Sequence, residues 1–398
     1  MNPIAVIVVA QLLGTSLWFS PNSAAASLMA QWSLSTAQLG QLTGAAQVGF
    51  IVGTLLVSTT GLADRFAASR ICALSCLAGA FCNAMFALSA SGFEQGLWWR
   101  FLVGMTLAGI YPLGMKLIIS WSPRNTGSTL GLLVAMLILG SALPHGVRAA
   151  GFGWDWESVV LTSSLLALVA AGMVFGLGDG PNLPPARPGP MRLGSILKVF
   201  RDARFRASAS GYFGHMWELY AFWTLLPFLV VDALAAMRSQ WVESASPWLA
   251  SALSFVLMGV AGAFGAISAG QMSQRVGSPR VAVIALFTSG LMCFFYPFVP
   301  DSLSWLKWVI LVFWGLTVAA DSAQFSATSA KVCPPELVGG ALAIQNSIGF
   351  LISTLSIMLV MALYESKGSA VVWYLLPGPI LGIVLFRRLC CQQSQEKG

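Results

Sequence analysis

Three ionisable side chains sit deep inside long apolar stretches of this chain. His215 and Glu218 belong to the string Tyr212-Phe-Gly-His-Met-Trp-Glu218, and Asp321 to Ala320-Asp-Ser-Ala-Gln-Phe-Ser326. A charged side chain at the centre of a bilayer costs about 2.5–3.5 kcal/mol on insertion scales, so such groups usually face a cavity and serve function. Carboxyls and an imidazole in that setting can take up and release protons. Glu218 and Asp321 are therefore proton-coupling candidates, with His215 as a relay. Other chemistries find little support. None of the six lysines follows a glycine, which excludes a P-loop, and there is no H-E-x-x-H string. The seven cysteines are scattered without a C-x-x-C pair, so neither a zinc site nor a disulfide framework is expected. No metal, cofactor or enzymatic activity is expected.

The elements that must position these groups are membrane helices. The chain is 57% hydrophobic and 9% charged, with mean hydropathy +0.78, whereas soluble proteins carry about 25% charged residues. Apolar runs long enough to span a bilayer predict twelve helices. They cover roughly 4–30, 36–59, 71–90, 96–121, 126–148 and 156–178, then 207–233, 248–269, 281–299, 305–330, 337–363 and 369–387. No charged residue precedes Asp64, so the first run reads as a retained helix and not as a cleaved signal peptide, which begins with a positive region. The fold class expected is an all-α polytopic membrane protein.

Basic residues set the orientation. With a cytoplasmic N-terminus, the inner segments hold Arg65, Arg70, Lys116, Arg124, Arg187, Arg192, Lys198, Arg201, Arg204, Arg206, Arg275, Arg280, Lys331, Arg387, Arg388 and Lys397. The outer segments hold only Arg148, Arg238, Lys307 and Lys367, and Arg100 lies within a helix. Positive residues accumulate on the cytoplasmic side, so both termini are expected there, in a bacterial cytoplasmic membrane. The net charge of +7 then reflects topology and not nucleic-acid binding. Trp32, Trp98, Trp99, Trp154, Trp156, Trp241, Trp248, Trp305, Trp308 and Trp373 cluster near predicted outer ends, as an interfacial belt would.

The longest polar break, 179–206, opens with a proline-rich run that no helix accommodates and then turns basic and amphipathic through Leu197, Val199 and Phe200. It predicts a cytoplasmic linker between an N-terminal six-helix bundle (1–178) and a C-terminal one (207–388), followed by a tail (389–398). Two echoes suggest that the bundles are repeats. Thr60-Gly-Leu-Ala-Asp-Arg-Phe-Ala-Ala-Ser-Arg70 matches Gly270-Gln-Met-Ser-Gln-Arg-Val-Gly-Ser-Pro-Arg280, and a stretch from Pro123 matches one from Pro335 at nearly the same offset.

These residues resemble the major facilitator superfamily over essentially the whole chain. The family's loop signature, Gly-x-Leu-x-Asp-Arg-x-Gly-Arg-Arg/Lys, is matched at Leu62, Asp64 and Arg65. Thr60 and Ala67 stand in its glycine places, and Arg70 remains of its basic pair. The second copy keeps Gly270, Arg275 and Gly277. Arg100 with Gly104 and Gly109 resembles the family's intramembrane arginine motif, while Gly131, Gly140 and Pro144 match its antiporter motif only loosely. The strings around Tyr111, His215 and Asp321 look like bacterial permeases of unassigned substrate. The resemblance implies two bundles related by pseudo-symmetry and a cytoplasmic latch formed by Asp64, Arg65, Arg70, Arg275 and Arg280, with Asp64 its only acid. It also implies a central cavity lined by helices 1, 4, 7 and 10, and a sliding interface at helices 2, 5, 8 and 11.

Those four cavity helices carry polar stripes at helical spacing. Helix 1 has Gln11, Thr15, Trp18 and Asn22; helix 4 has Arg100, Gly104, Leu107 and Tyr111. Helix 7 aligns His215, Glu218 and Phe222, and helix 10 aligns Trp314, Asp321, Gln324 and Thr328. Trp217 and Tyr220 complete the substrate-cavity candidates. Arg100 reads as a structural side chain snorkelling to the outer interface. The expected function is a secondary transporter of a small organic solute, proton-coupled and monomeric, working by alternating access. An uncoupled or sodium-coupled facilitator is the alternative reading, and a non-transporting membrane sensor or chaperone is one of another class.

Overall fold

A computed structural model describes residues 2–122, 126–151, 153–183, 198–237, 247–334 and 337–395. Most of the linker, Trp241 and the side chain of Asp64 lie outside the described residues. The rest is helical throughout. We number the spans α1 to α12. In the first half they are α1 (Pro3–Thr15, resuming as Ala25–Trp32), α2 (Thr36–Thr60), α3 (Ala68–Leu88), α4 (Phe93–Trp121), α5 (Thr126–Ala150) and α6 (Trp156–Leu177). The second half has α7 (Ala203–Ala236), α8 (Pro247–Val276), α9 (Ser278–Phe295), α10 (Ser304–Val318, resuming as Ser322–Val332), α11 (Val338–Lys367) and α12 (Pro377–Gln395). Among the described residues ten helical stretches are long and apolar enough to cross a membrane, the two parts of α10 counting as one and α11 and α12 counting as one because a short 3-10 run joins them.

Local sequence explains most boundaries. Asn2 accepts the Ile4 amide and Pro3 opens α1, a position where its missing N–H costs nothing. Ser35 and Gln38 cap each other's backbone at the start of α2. Gly61, at φ 65°, closes α2 in the left-handed region that favours glycine. Asp202 accepts the amides of Arg204 and Phe205 to begin α7. A π-helical turn, Phe255–Ala261, interrupts α8.

Two spans depart from the continuous helices expected. Residues 16–24 break α1, where Pro21 lacks an N–H and Ser16 and Ser20 donate to backbone carbonyls instead of supporting a regular ladder. Residues 319–321 break α10 beside Asp321. The tryptophan belt also needs amendment. Trp98, Trp154, Trp248 and Trp305 are exposed, but Trp156 is buried against Trp32 and Phe86.

Glycines set the tightest crossings, and the same crossing recurs in each half. A Cβ on Gly49 would sit 1.9 Å from the Phe101 carbonyl oxygen, so α2 and α4 touch backbone to backbone. A Cβ on Gly265 would sit 1.8 Å from the Leu316 oxygen, giving α8 and α10 the same contact. Small residues permit this approach.

The halves meet along α2 with α11 and α5 with α8. Gly40 lies under Met361, Gly44 under Thr354, Gly146 under Phe255 and Gly262 under Ile138. Thr36 donates both its amide and its hydroxyl to Glu365 Oε1, at 3.0 and 3.1 Å. Apart from Gly262 and Ile138, which meet at mid-span, these contacts lie toward the end that the basic residues mark as outer. Toward the opposite end Gly131 in α5, Gly270 in α8 and Gly339 in α11 have nothing within 4 Å of the side a Cβ would occupy. Among the described residues the glycine contacts between the halves are thus found from the outer end to mid-span and not at the other end.

Candidate functional site

A cavity opens at the seam between the halves, with an empty volume of about 530 Å³ counting the part open to solvent. Its wall comes from α4 (Tyr111), α5 (Val134, Leu137, Ile138), α7 (Tyr212, Met216, Leu219, Tyr220, Trp223), the α10 break (Ala319, Ser322, Ser326) and α11 (Asn346, Phe350). Above it lies an aromatic plug drawn from both halves. Trp18 from the α1 break stacks on Tyr220 and Phe350, with ring centroids 5.6 Å apart in each case. Phe50 of α2 closes the cluster, 4.4 Å from Phe350 and 5.1 Å from Trp18. Each such pair contributes about 0.5–1.5 kcal/mol beyond burial, so the plug is a firm seal that joins the halves.

The ionisable groups stand behind this wall, inside the C-terminal half. Glu218 accepts from Trp314 Nε1 at 2.7 Å and from Ser289 Oγ at 2.8 Å, which occupies both its oxygens. Phe222 stacks on Trp314 at 4.3 Å and covers the cluster. One turn toward the start of α7, His215 Nδ1 lies 2.7 Å from Asp321 Oδ1, both side chains being 1% exposed. That contact is close but poorly aligned, and Asp321 Oδ2 and His215 Nε2 have no hydrogen-bond partner. The two acids are thus in different states of satisfaction. Glu218 is fully bonded, whereas Asp321 and His215 keep unfilled capacity at a helix break whose neighbours, Ala319 and Ser322, line the cavity.

The first half holds a corresponding polar cluster with the opposite sign. Arg100, wholly buried, donates from Nη1 to the Leu17 carbonyl at 3.1 Å and from Nη2 to the Trp18 carbonyl. Its Nη1 also approaches Asn83 Oδ1 at 3.4 Å, and Asn83 in turn donates to Val160 and Ser164 on α6. In the first half Arg100 of α4 meets carbonyls of the α1 break and Asn83 of α3, and in the second Glu218 of α7 meets Ser289 of α9 and Trp314 of α10. The arginine fills the carbonyls that the α1 break leaves without helical donors, a need each worth about 1–3 kcal/mol when buried. The expectation that Arg100 snorkels is corrected: it points into the bundle and holds the plug residue Trp18 in place. It does not line the cavity.

Other expected site residues divide. Tyr111 and Tyr220 line the cavity. Trp18 belongs to the plug, and Trp314 to the Glu218 cluster. Trp217 turns away from the cavity and donates to the Tyr374 carbonyl on the far side of α7. Asn22 donates to Thr43 of α2, and Thr15 donates to the Gln11 carbonyl within its own helix. Gln11 is buried with Nε2 unpartnered, next to Gly114. Gln324 is buried within α10. Sequence reasoning missed Tyr212, Trp223, Ser322, Ser326, Asn346 and Phe350. The stripe 212, 216, 219, 223 has helical spacing and could have been found; Asn346 and Phe350 could not, because α11 was assigned wholly to the interface.

At the opposite end, Arg65, Arg70, Arg275 and Arg280 are exposed. Among the described side chains, Asp179 accepts the Ala68 and Ser69 amides at 3.0 and 2.7 Å and so caps α3 beside the first loop. Lys116 of α4 donates to the Ala63 carbonyl in the same loop. The expectation of Asp64 as the loop's only acid overlooked Asp179, which follows α6 in sequence.

Comparison with known proteins agrees with this architecture. A family model described as Major Facilitator Superfamily matches residues 7–385. The chain is 31% identical over 157 residues to the 4-hydroxybenzoate transporter PcaK of Pseudomonas aeruginosa, covering 37% of this chain and 33% of the relative. It is 29% identical over 142 residues to the niacin transporter NiaP of Acinetobacter baylyi, covering 32% and 29%. The match spans about a third of the length of these relatives. Among solved structures, the nucleoside transporter NupG superimposes with a TM-score of 0.71 at 14% identity, over 98% of this chain and 99% of that one.

Proposed function

The chain belongs to the major facilitator superfamily, and on that premise we propose that it is a secondary transporter that carries a small aromatic organic solute across a bacterial cytoplasmic membrane, coupled to protons. The members it resembles are transporters and not enzymes. The observation that carries the reading is the cavity at the seam, sealed on one side by aromatic rings from both halves. A solute reaching Tyr111, Tyr212 and Tyr220 from the open side meets the plug. Release on the other side requires Trp18 and Phe50 to part from Tyr220 and Phe350.

The moving bodies are residues 1–178 and 207–388, each held together by its own buried polar cluster. Their rocking about the α2–α11 and α5–α8 seams gives alternating access. With both termini cytoplasmic, the side sealed by the plug is the outer one. Aromatic solutes suit the lining, and 4-hydroxybenzoate and niacin, the solutes named for PcaK and NiaP, share an aromatic ring.

Proton coupling rests on His215 and Asp321. Their unfilled hydrogen-bonding capacity lies at the α10 break, next to cavity residues on both sides in sequence. A proton bound there changes the charge of the break, and solute binding and proton binding become linked. Purified protein in proteoliposomes containing a pH-sensitive dye tests this: adding a transported solute acidifies the lumen if the solute enters with protons, and leaves the dye unchanged if coupling is absent.

A further inference from the structure

We propose that the cavity takes its solute as an uncharged, planar, hydrogen-bonding ring and rejects the carboxylate form of the same ring. The inference rests on the transporter reading above and narrows its substrate class. Six polar side chains face the cavity: Tyr111, Tyr212, Tyr220, Ser322, Ser326 and Asn346. None of their side-chain groups has a hydrogen-bond partner among the described residues, although hydroxyls elsewhere in these helices return to backbone carbonyls, as those of Thr224, Thr328 and Thr354 do. Hydroxyl and amide groups so arranged are available to a ligand or to water, and each can both donate and accept.

The lining carries no formal charge. Of the buried ionisable groups outside it, Arg100 is spent on the Leu17 and Trp18 carbonyls, Glu218 on Trp314 and Ser289, and His215 faces the Asp321 carboxylate, while His145 of α5 is buried away from the lining. A carboxylate entering the cavity would leave water without meeting a cation, which is strongly unfavourable. An uncharged ring bearing amide or hydroxyl groups meets matched donors and acceptors, and its faces stack on the tyrosine rings and Phe350. A site built to hydrogen-bond its solute also discriminates sharply, because an ill-matched solute leaves the site's own groups unpaired.

Matched pairs test the assignment. Isothermal titration of the purified full-length protein compares 4-hydroxybenzamide with 4-hydroxybenzoate, and nicotinamide with nicotinate, at about pH 7.5, where the acids are ionised. The expected result is an amide that binds at least about tenfold tighter than its acid in one or both pairs, a preference of the size a hydrogen-bonding site supplies. Asn346→Ala and Tyr212→Phe each weaken that binding severalfold while the melting temperature of the free protein is unchanged. Tighter binding of the acids overturns the inference and leaves the aromatic-solute reading intact. Binding of neither pair up to millimolar concentration overturns both.

Discussion

Asp321 sits in the break of α10 with its Oδ1 2.7 Å from Nδ1 of His215 on α7, and Asp321 Oδ2 and His215 Nε2 have no aligned hydrogen-bond partner among the described residues. Three residues along α7, Glu218 has both oxygens filled by Trp314 and Ser289. The two acids are therefore bonded differently: Glu218 ties α7 to α9 and α10, whereas the His215–Asp321 pair is the one proposed to exchange a proton.

The first prediction follows from that contrast. Asp321→Asn and His215→Gln keep the shape of the break but remove its exchangeable proton. Each is expected to abolish solute-dependent proton uptake in proteoliposomes while solute binding, measured by titration, changes by less than about tenfold. Proton uptake that survives both substitutions would place the coupling site elsewhere.

Glu218 should behave as scaffold. Glu218→Gln retains an acceptor and a shape close to the original, so coupling is expected to persist. Glu218→Ala leaves the Trp314 and Ser289 donors buried without a partner, at about 1–3 kcal/mol. Its melting temperature in detergent is expected to fall clearly below that of the Gln variant. Equal melting temperatures would mean that the two hydrogen bonds contribute nothing to holding α7, α9 and α10 together.

Arg100 makes a parallel case in the first half. Arg100→Ala strands the Leu17 and Trp18 carbonyls and frees the plug residue Trp18. A loss of about 2–3 kcal/mol is expected from unpaired groups that had a charged partner. Arg100→Lys, which cannot fork to two carbonyls in the same geometry, should recover only part of it. Chemical denaturation of the two variants checks the order: wild type, Lys, Ala.

Bulk at the seam should change the conformational balance without touching the cavity. A Cβ on Gly40 already falls 2.6 Å from Met361 Cβ, so Gly40→Phe cannot be accommodated while α2 and α11 are closed. Spin labels on the outer ends of these helices are expected to report a longer mean distance in the variant. Transport should be lost although the protein folds. An unchanged distance would show that the seam yields locally instead of separating.

The sequence made the spans and the seam legible because both depend on composition: apolar length for the helices, and runs of glycine for close approach. It also picked out the buried ionisable residues. What it missed followed from small rotations. The stripe through His215, Glu218 and Phe222 lies about 100° per residue away from Met216, Leu219 and Trp223, so a one-residue step separates the cavity face from the bundle interior. The breaks at 16–24 and 319–321 were passed over although Pro21, Asn22 and Asp321 fall in them, because each lies inside a stretch apolar enough on average to read as one span. Arg100 was misread for the same reason. Its carbonyl partners, Leu17 and Trp18, become available only once α1 is broken. Asp179 escaped notice because its partners, Ala68 and Ser69, are a hundred residues distant and offer only backbone amides.

The central claim is that this cavity carries an aromatic solute across the membrane at the expense of a proton gradient. Uptake of labelled nicotinamide and 4-hydroxybenzamide into proteoliposomes, with the pH gradient imposed or collapsed by an ionophore, tests it most directly. The account predicts accumulation of at least one of them above its outside concentration only while the gradient is present, and none with Asp321→Asn. Accumulation that is indifferent to the gradient, or absence of uptake for every aromatic solute that binds, would contradict it.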